Sequence, residues 1–202
     1  VLLGCNAGQC TDSGAENIFV GKGAGFGNQS GDYNIFLGSY AGKCNTVGYG
    51  NVLFGKEVGY CLDTGIHNFY ALERAGSNAY NGCDNIAIGR CAGYEMQSND
   101  NVLLGRNAGR GQVFGHRNVI IGMDAGRCGE RGDNNVMIGC NAGRCNQGTG
   151  NVFLGHNTGS AVTSASGNVV IGCNVSLASS VQDHQLATVS YTHLTLPTNG
   201  CV

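Results

Sequence analysis

The chain has 202 residues, with 36 Gly, 1 Pro, 11 Cys and a formal net charge of -2. Only 12% of residues are charged, so the general basic field that nucleic-acid binding needs is missing, and no apolar run approaches membrane-spanning length. A hydrophobic content of 42% is too high for simple disorder, and this much Gly without helical periodicity implies many tight turns.

One unit recurs along the chain: Asn, three apolar residues, Gly, two variable residues, Ala, Gly, then a polar turn leading to the next Asn. The Asn falls at Asn17, Asn34, Asn51, Asn68, Asn85, Asn101, Asn118, Asn135, Asn151 and Asn168, spaced by 17 or 16 residues. With this Asn as offset zero, Val1 sits at offset one, so the chain begins inside a repeat and reads as a fragment of a longer array. In chain order the apolar triplets start at Val1, Ile18, Ile35, Val52, Phe69, Ile86, Val102, Val119, Val136, Val152 and Val169. β-Branched and aromatic residues dominate them, which predicts short strands. Gly at offset four ends each strand, Leu72 being the exception, and Ala-Gly at offsets seven and eight predicts a compact turn.

A single unit cannot bury its own apolar face, whereas stacked units can. The expectation is an all-β fold, a β-solenoid or β-roll with one 16–17-residue repeat per coil and about eleven coils over residues 1–177. The repeated Asn would form an amide ladder along one edge. Residues 178–188 read as a degenerate last coil or cap. Residues 189–202 hold the only Pro, Pro197, and no repeat landmark. They resemble translated sequencing-adaptor read-through, and as non-native sequence or as an ordinary disordered terminus they should have no place in the core.

Strand alternation places offsets one and three on one side and offset two on the other. Offset two, the expected wet side, is instead apolar: Phe19, Phe36, Leu53, Tyr70, Leu103, Ile120, Met137 and Phe153. Strands apolar on both faces are usually buried on both, and an exposed stripe of this length exceeds what soluble monomers tolerate. The expectation is that these eight residues pack against sister chains, most simply in a parallel homotrimer. The alternative is a wide, flattened coil that encloses both faces.

Segments such as 34–51 (NIFLGSYAGKCNTVGYGN) and 135–151 (NVMIGCNAGRCNQGTGN) resemble repeats of phage tail-fibre and bacterial adhesin-like proteins, which often precede an endosialidase-type chaperone domain. They are similar, more distantly, to the β-roll heads of trimeric autotransporter adhesins. The resemblance covers about 1–177 and implies a trimeric, elongated fibre displayed outside the cell or on a virion surface. It does not identify a ligand, and the chaperone domain has no counterpart in this chain.

Five Cys share offset ten: Cys10, Cys44, Cys61, Cys128 and Cys145. Cys44 with Cys61, and Cys128 with Cys145, fall one coil apart, and a coil spacing of about 4.8 Å suits a disulfide's Cα separation. Inter-coil staples and free thiols acting as small hydrophobes both fit. A metal site is disfavoured because no C-x-x-C occurs and His67, His116 and His156 share no offset. The Asp residues wander between offsets, unlike the nine-residue calcium repeat. No cofactor is expected, since the Gly-rich segments precede no helix that could hold phosphate.

Arg110, Arg127 and Arg144 stack at offset nine with Lys43, while Lys22, Lys56, Arg90 and Arg106 hold offset five. Stacked like charges repel, so acidic turn residues such as Glu130 and Asp133, or an anionic ligand such as a host-surface polysaccharide, should compensate. A solvated basic rim is the simpler reading. The sequence thus supports a non-enzymatic structural and binding module: a rigid shaft for surface attachment, with self as its main partner. A filament stacking head to tail is the alternative. A polysaccharide-active enzyme on a β-helical scaffold is weaker because its carboxylates are dispersed, and an ice-binding face weaker still because Thr is scattered.

Overall fold

The computed structural model describes residues 1–111, 115–128 and 132–188. Its strands are β1 (Leu2–Leu3), β2 (Ile18–Val20), β3 (Ile35–Leu37), β4 (Val52–Phe54), β5 (Phe69–Ala71), β6 (Ile86–Ile88), β7 (Val102–Leu104), β8 (Val119–Ile121), β9 (Val136–Ile138), β10 (Val152–Leu154), β11 (Val169–Ile171) and β12 (Leu186–Thr188). They form one parallel sheet in sequence order, a β-solenoid of about 11 turns with about 17 residues per turn. Register follows the repeat: Phe36 pairs with Leu53 and Leu103 with Ile120, while the shorter coil pairs Ala87 with Leu103. The last strand lies in register too, Val170 opposite Ala187, and Gln185 takes the place of the landmark Asn. The tail from 189 on, with Pro197 and Cys201, lies outside the described residues.

Backbone conformation repeats as strictly as sequence. Offset-four Gly residues hold φ between +124° and +143° wherever Gly is present, as at Gly105 (+128°) and Gly155 (+124°). Only Gly occupies that region readily. A second reason is proximity, since a Cβ on Gly105 would stand 2.7 Å from the Gly122 carbonyl oxygen of the next coil. Offset six is left-handed in every coil and is mostly not Gly: Asn6, Tyr40, Glu57, Arg74, Cys91, Asn107, Asp124, Asn141, Asn157 and Asn174 all have φ between 54° and 60°. Asn and Asp suit this region; Tyr, Glu, Arg and Cys do not. What holds them is the ladder, for Tyr40 N–H donates to Lys22 O (2.8 Å) and Glu57 N–H to Ser39 O (2.9 Å).

The core is one narrow column. Phe19, Phe36, Leu53, Tyr70, Ala87, Leu103, Ile120, Met137, Phe153 and Val170, all at offset two, are fully buried against the small offset-seven residues opposite, such as Ala24, Ala41, Ala108 and Ala125. The Phe19 and Phe36 rings stack with centroids 4.9 Å apart. Burial of each large side chain contributes about 1.5–3 kcal/mol.

This corrects the expectation for offset two. Phe19, Phe36, Leu53, Tyr70, Leu103, Ile120, Met137 and Phe153 point into the chain's own coil and are closed to sister chains. The coil does not enclose both faces either, because offsets one and three lie outside, half-buried or exposed. The landmark Asn sets this parity: offset zero must turn inward to reach its partners, and offset two shares its side of the strand.

Candidate functional site

Three surfaces surround the core: the Asn ladder at the strand entry, the outer face of the sheet, and the turns at offsets five to ten.

The ladder is buried and continuous. Asn34 Oδ1 accepts from the Asn51 backbone N–H (3.0 Å) and Nδ2 (3.2 Å), and Asn51 Nδ2 also donates to Gly65 O (2.7 Å). The backbone N–H bond to the preceding Asn Oδ1 recurs at Asn68, Asn85, Asn101, Asn118, Asn135, Asn151 and Asn168, and the Nδ2 bond to it at all of these but Asn151, whose Nδ2 donates to Asn146 Oδ1 and Ala165 O instead. Asn17 begins it by accepting from Asn34 N–H (2.8 Å). Most of these amides thus tie the start of one coil to the end of that coil and to the next, as Asn51 does through Gly65 O and Asn68 through Gly82 O. Tyr70 joins by donating to Asn68 Oδ1 (2.9 Å), and its complete burial holds the phenol far above its ordinary pKa. A second, exposed ladder runs two residues before the landmark, where side chains accept backbone N–H groups of the preceding coil, as Asp32 does from Ala15 (2.7 Å) and Asp133 from His116 (2.8 Å).

The outer face of β2–β11 is apolar without interruption. Its two columns run from Ile18 and Val20 to Val169 and Ile171 and include Phe54, Phe69, Ile86 and Ile138, all exposed, with no charged side chain on any of these strands.

The turns carry most of the chain's basic side chains. At offset nine Lys43 Nζ donates to Tyr60 OH (2.7 Å) and lies 5.4 Å from the Tyr40 ring centroid. That hydrogen bond raises the lysine pKa. The three stacked arginines are compensated separately. Arg110 covers the Tyr94 ring at 5.2 Å, and Arg127 lies 3.4 Å from Asp124. Arg144 opens onto a shallow polar groove of about 380 Å³ with Asn141, Asn157 and Asn174. Asp133 faces Arg117 at 3.9 Å instead, and Glu130 lies outside the described residues.

At offset six Arg74 Nε donates to Glu57 at 2.7 Å, and this bond, helped by Lys56, lowers the carboxyl pKa from its ordinary 4.5. A depressed carboxyl pKa stabilises the fold fully above about 4.5 and loses that contribution as pH falls through the folded value. Melting temperatures of wild type and Glu57→Gln should therefore differ at neutral pH and converge as acidification protonates Glu57. The difference should be small because the pair faces solvent.

Sequence reasoning missed the left-handed offset-six column, because Tyr40, Glu57, Arg74 and Cys91 disguise it. The short coil spacing alone was enough to place the thiols.

Cys44 and Cys61 Sγ atoms stand 3.7 Å apart as free thiols, flanked by Lys43. Burial, then the Cys44 thiol, pushes Cys61 up to about 11, and burial with Cys128 raises Cys145 in the same way. Oxidised glutathione should convert Cys44 and Cys61 to a disulfide, each bond formed releasing two glutathione thiols, and the reaction should accelerate as pH rises because the thiolate attacks. Peptide mapping should find a Cys44–Cys61 cross-link, and Cys44→Ser should abolish it. No cluster of three or more His, Cys, Asp or Glu able to hold a metal lies among the described residues.

No protein-family model matches the chain, and neither any curated protein nor any solved structure shows significant similarity to it. Function must therefore be argued from the solenoid's own surfaces.

Proposed function

We propose that this chain is a structural segment of an elongated surface fibre, a phage tail fibre or bacterial adhesin, in which it forms a rigid shaft. The observation that carries the reading is the combination of an unbroken coil-to-coil ladder with an unbroken apolar strip along its whole length. The ladder stiffens the body, since each coil is hydrogen-bonded to both neighbours through main chain and Asn side chains. The strip is longer than the apolar patches ordinary soluble monomers leave exposed, so copies associate laterally around a common axis. Three copies, as the resemblance to tail-fibre and adhesin repeats implies, close such a shaft. The turns then face outward, and the groove at Arg144 offers a charged, amide-rich surface to an anionic host polysaccharide. The shaft has no catalytic role in this reading, and its place is extracellular or on the virion.

Light scattering and negative-stain imaging of the full chain under reductant test the proposal. Discrete oligomeric rods about 50 Å long, the length of eleven coils at about 4.8 Å, support it. Indefinite filaments would favour head-to-tail stacking instead, and a compact monomer would sink the shaft.

A further inference from the structure

The rows flanking the outer sheet face carry opposite charge in each coil that is charged on both rows. The row just before the landmark Asn holds Glu16, His67, Asp84, Asp100 and Arg117, all left-handed and exposed. The row at offset five holds Lys22, Lys56, Glu73, Arg90 and Arg106, also exposed. Within one coil these positions are six residues apart and lie on either side of a strand, up to about 20 Å from each other at strand rise. Glu16 therefore cannot reach Lys22 of its own coil, nor Asp84 reach Arg90, nor Asp100 reach Arg106. Such pairing has no use inside one chain. Both rows do hold ion pairs along their own stacks, His67 with Asp84 at 3.5 Å and Arg90 with Glu73 at 3.8 Å, and these are exposed and weak.

We infer that the apolar sheet face docks a second copy of this chain, parallel and with no stagger, so that Glu16, Asp84 and Asp100 of one copy meet Lys22, Arg90 and Arg106 of the other. Symmetry gives the reason. Rotation about an axis parallel to the solenoid turns one strip toward another and sets the entry row of one copy against the offset-five row of its neighbour at the same height. The same operation brings His67 to Glu73, Arg117 to the uncharged Met123 and Lys56 to the uncharged Gly50, so no like charges meet between the two rows. An antiparallel arrangement would instead set each row against itself and oppose acid to acid. The area is sufficient: ten strands at about 4.8 Å and a width of about 20 Å between the rows give roughly 1,000 Å² per copy, against about 800 Å² for a standard interface. The core of this interface is apolar and its rim charged, the usual anatomy of a stable contact.

The inference rests on the shaft being an assembly of copies, and a charge-swap series separates the two. The variants are made in the full chain, kept under reductant, and checked for retained β-structure by circular dichroism. Arginine is tolerated in the entry row, since Arg117 holds it at φ 57°. Asp84→Arg with Asp100→Arg should weaken association at least about 100-fold, because like charges then face each other. Adding Arg90→Asp and Arg106→Asp to the same chain should restore it to within about tenfold of wild type, by the same pairing. Ile86→Lys with Ile138→Lys should abolish association while leaving the coils folded. An associating wild type whose swap has no effect, or whose fourfold variant is not rescued, overturns the parallel register and leaves the shaft standing. A wild type that stays monomeric at high concentration overturns both.

Discussion

Gly105→Ala should unfold the coils around it. The new Cβ would stand 2.7 Å from the Gly122 carbonyl oxygen, a main-chain atom that cannot swing aside, and alanine would have to hold φ +128°. Either the coils separate, breaking ladder bonds such as Gly122 N–H to Leu104 O (2.8 Å), or the backbone leaves its conformation. Strain of this kind costs about 1–3 kcal/mol in backbone terms alone, with the steric and hydrogen-bond losses added. Gly150→Ala is the matched control: its φ is 70° and a Cβ there meets nothing within 4 Å. That variant should lose only about 1 kcal/mol. Thermal melts of the two variants beside wild type provide the check, and equal melting temperatures would refute the close-approach argument.

Asn118→Leu should cost nearly as much by a different route. Asn118 Oδ1 accepts from the Asn135 N–H (2.8 Å) and Nδ2 (3.1 Å), while its Nδ2 donates to Asn101 Oδ1 (3.2 Å) and Gly132 O (2.9 Å). Leucine fills similar space but leaves a buried main-chain N–H and a carbonyl without partners, at about 1–3 kcal/mol each. Asn118→Asp distinguishes lost bonds from lost volume. Aspartate keeps the acceptor, loses both donors and buries a charge, which raises its folded-state pKa. Its penalty should therefore be largest at neutral pH and shrink as pH falls and the carboxyl takes up a proton. Denaturant unfolding at two pH values, with hydrogen exchange at the coils between Asn101 and Asn135, measures both effects. A penalty for the Asp variant that is independent of pH would argue against the ladder as drawn.

The period, the strands and the stacked Asn were legible in the sequence because local pattern and global fold agree at every coil. The direction of the offset-two column was not, although the clue was present. A three-residue strand has too few positions to reveal which side is wet, and the polar landmark looked like a surface group. Only the recognition that Asn is buried, bonded to the end of its own coil at Gly65 or Gly82, fixes Phe36, Leu53 and Tyr70 inward. The basic character of Lys22, Arg90 and Arg106 was also readable. Its match with Glu16, Asp84 and Asp100 acquired meaning only once offsets one and three were seen to lie outside. The left-handed offset-six column was only partly signalled, because Gly23 and the Asn and Asp residues that suit it are interrupted by Tyr40, Glu57, Arg74 and Cys91.

Among the described residues each coil is bonded only to the coil before it and the coil after it, through contacts that repeat at 16 or 17 residues. An in-frame duplication or deletion of one repeat would therefore leave every remaining neighbour relation as it was. It would lengthen or shorten the body by a fixed step of about 4.8 Å. In the proposed assembly the facing strips would change by the same step, so register would survive. Length in such a solenoid is a counted quantity, set by how many repeats the gene encodes, so gain or loss of repeats would adjust the reach of the proposed shaft without inventing a new fold.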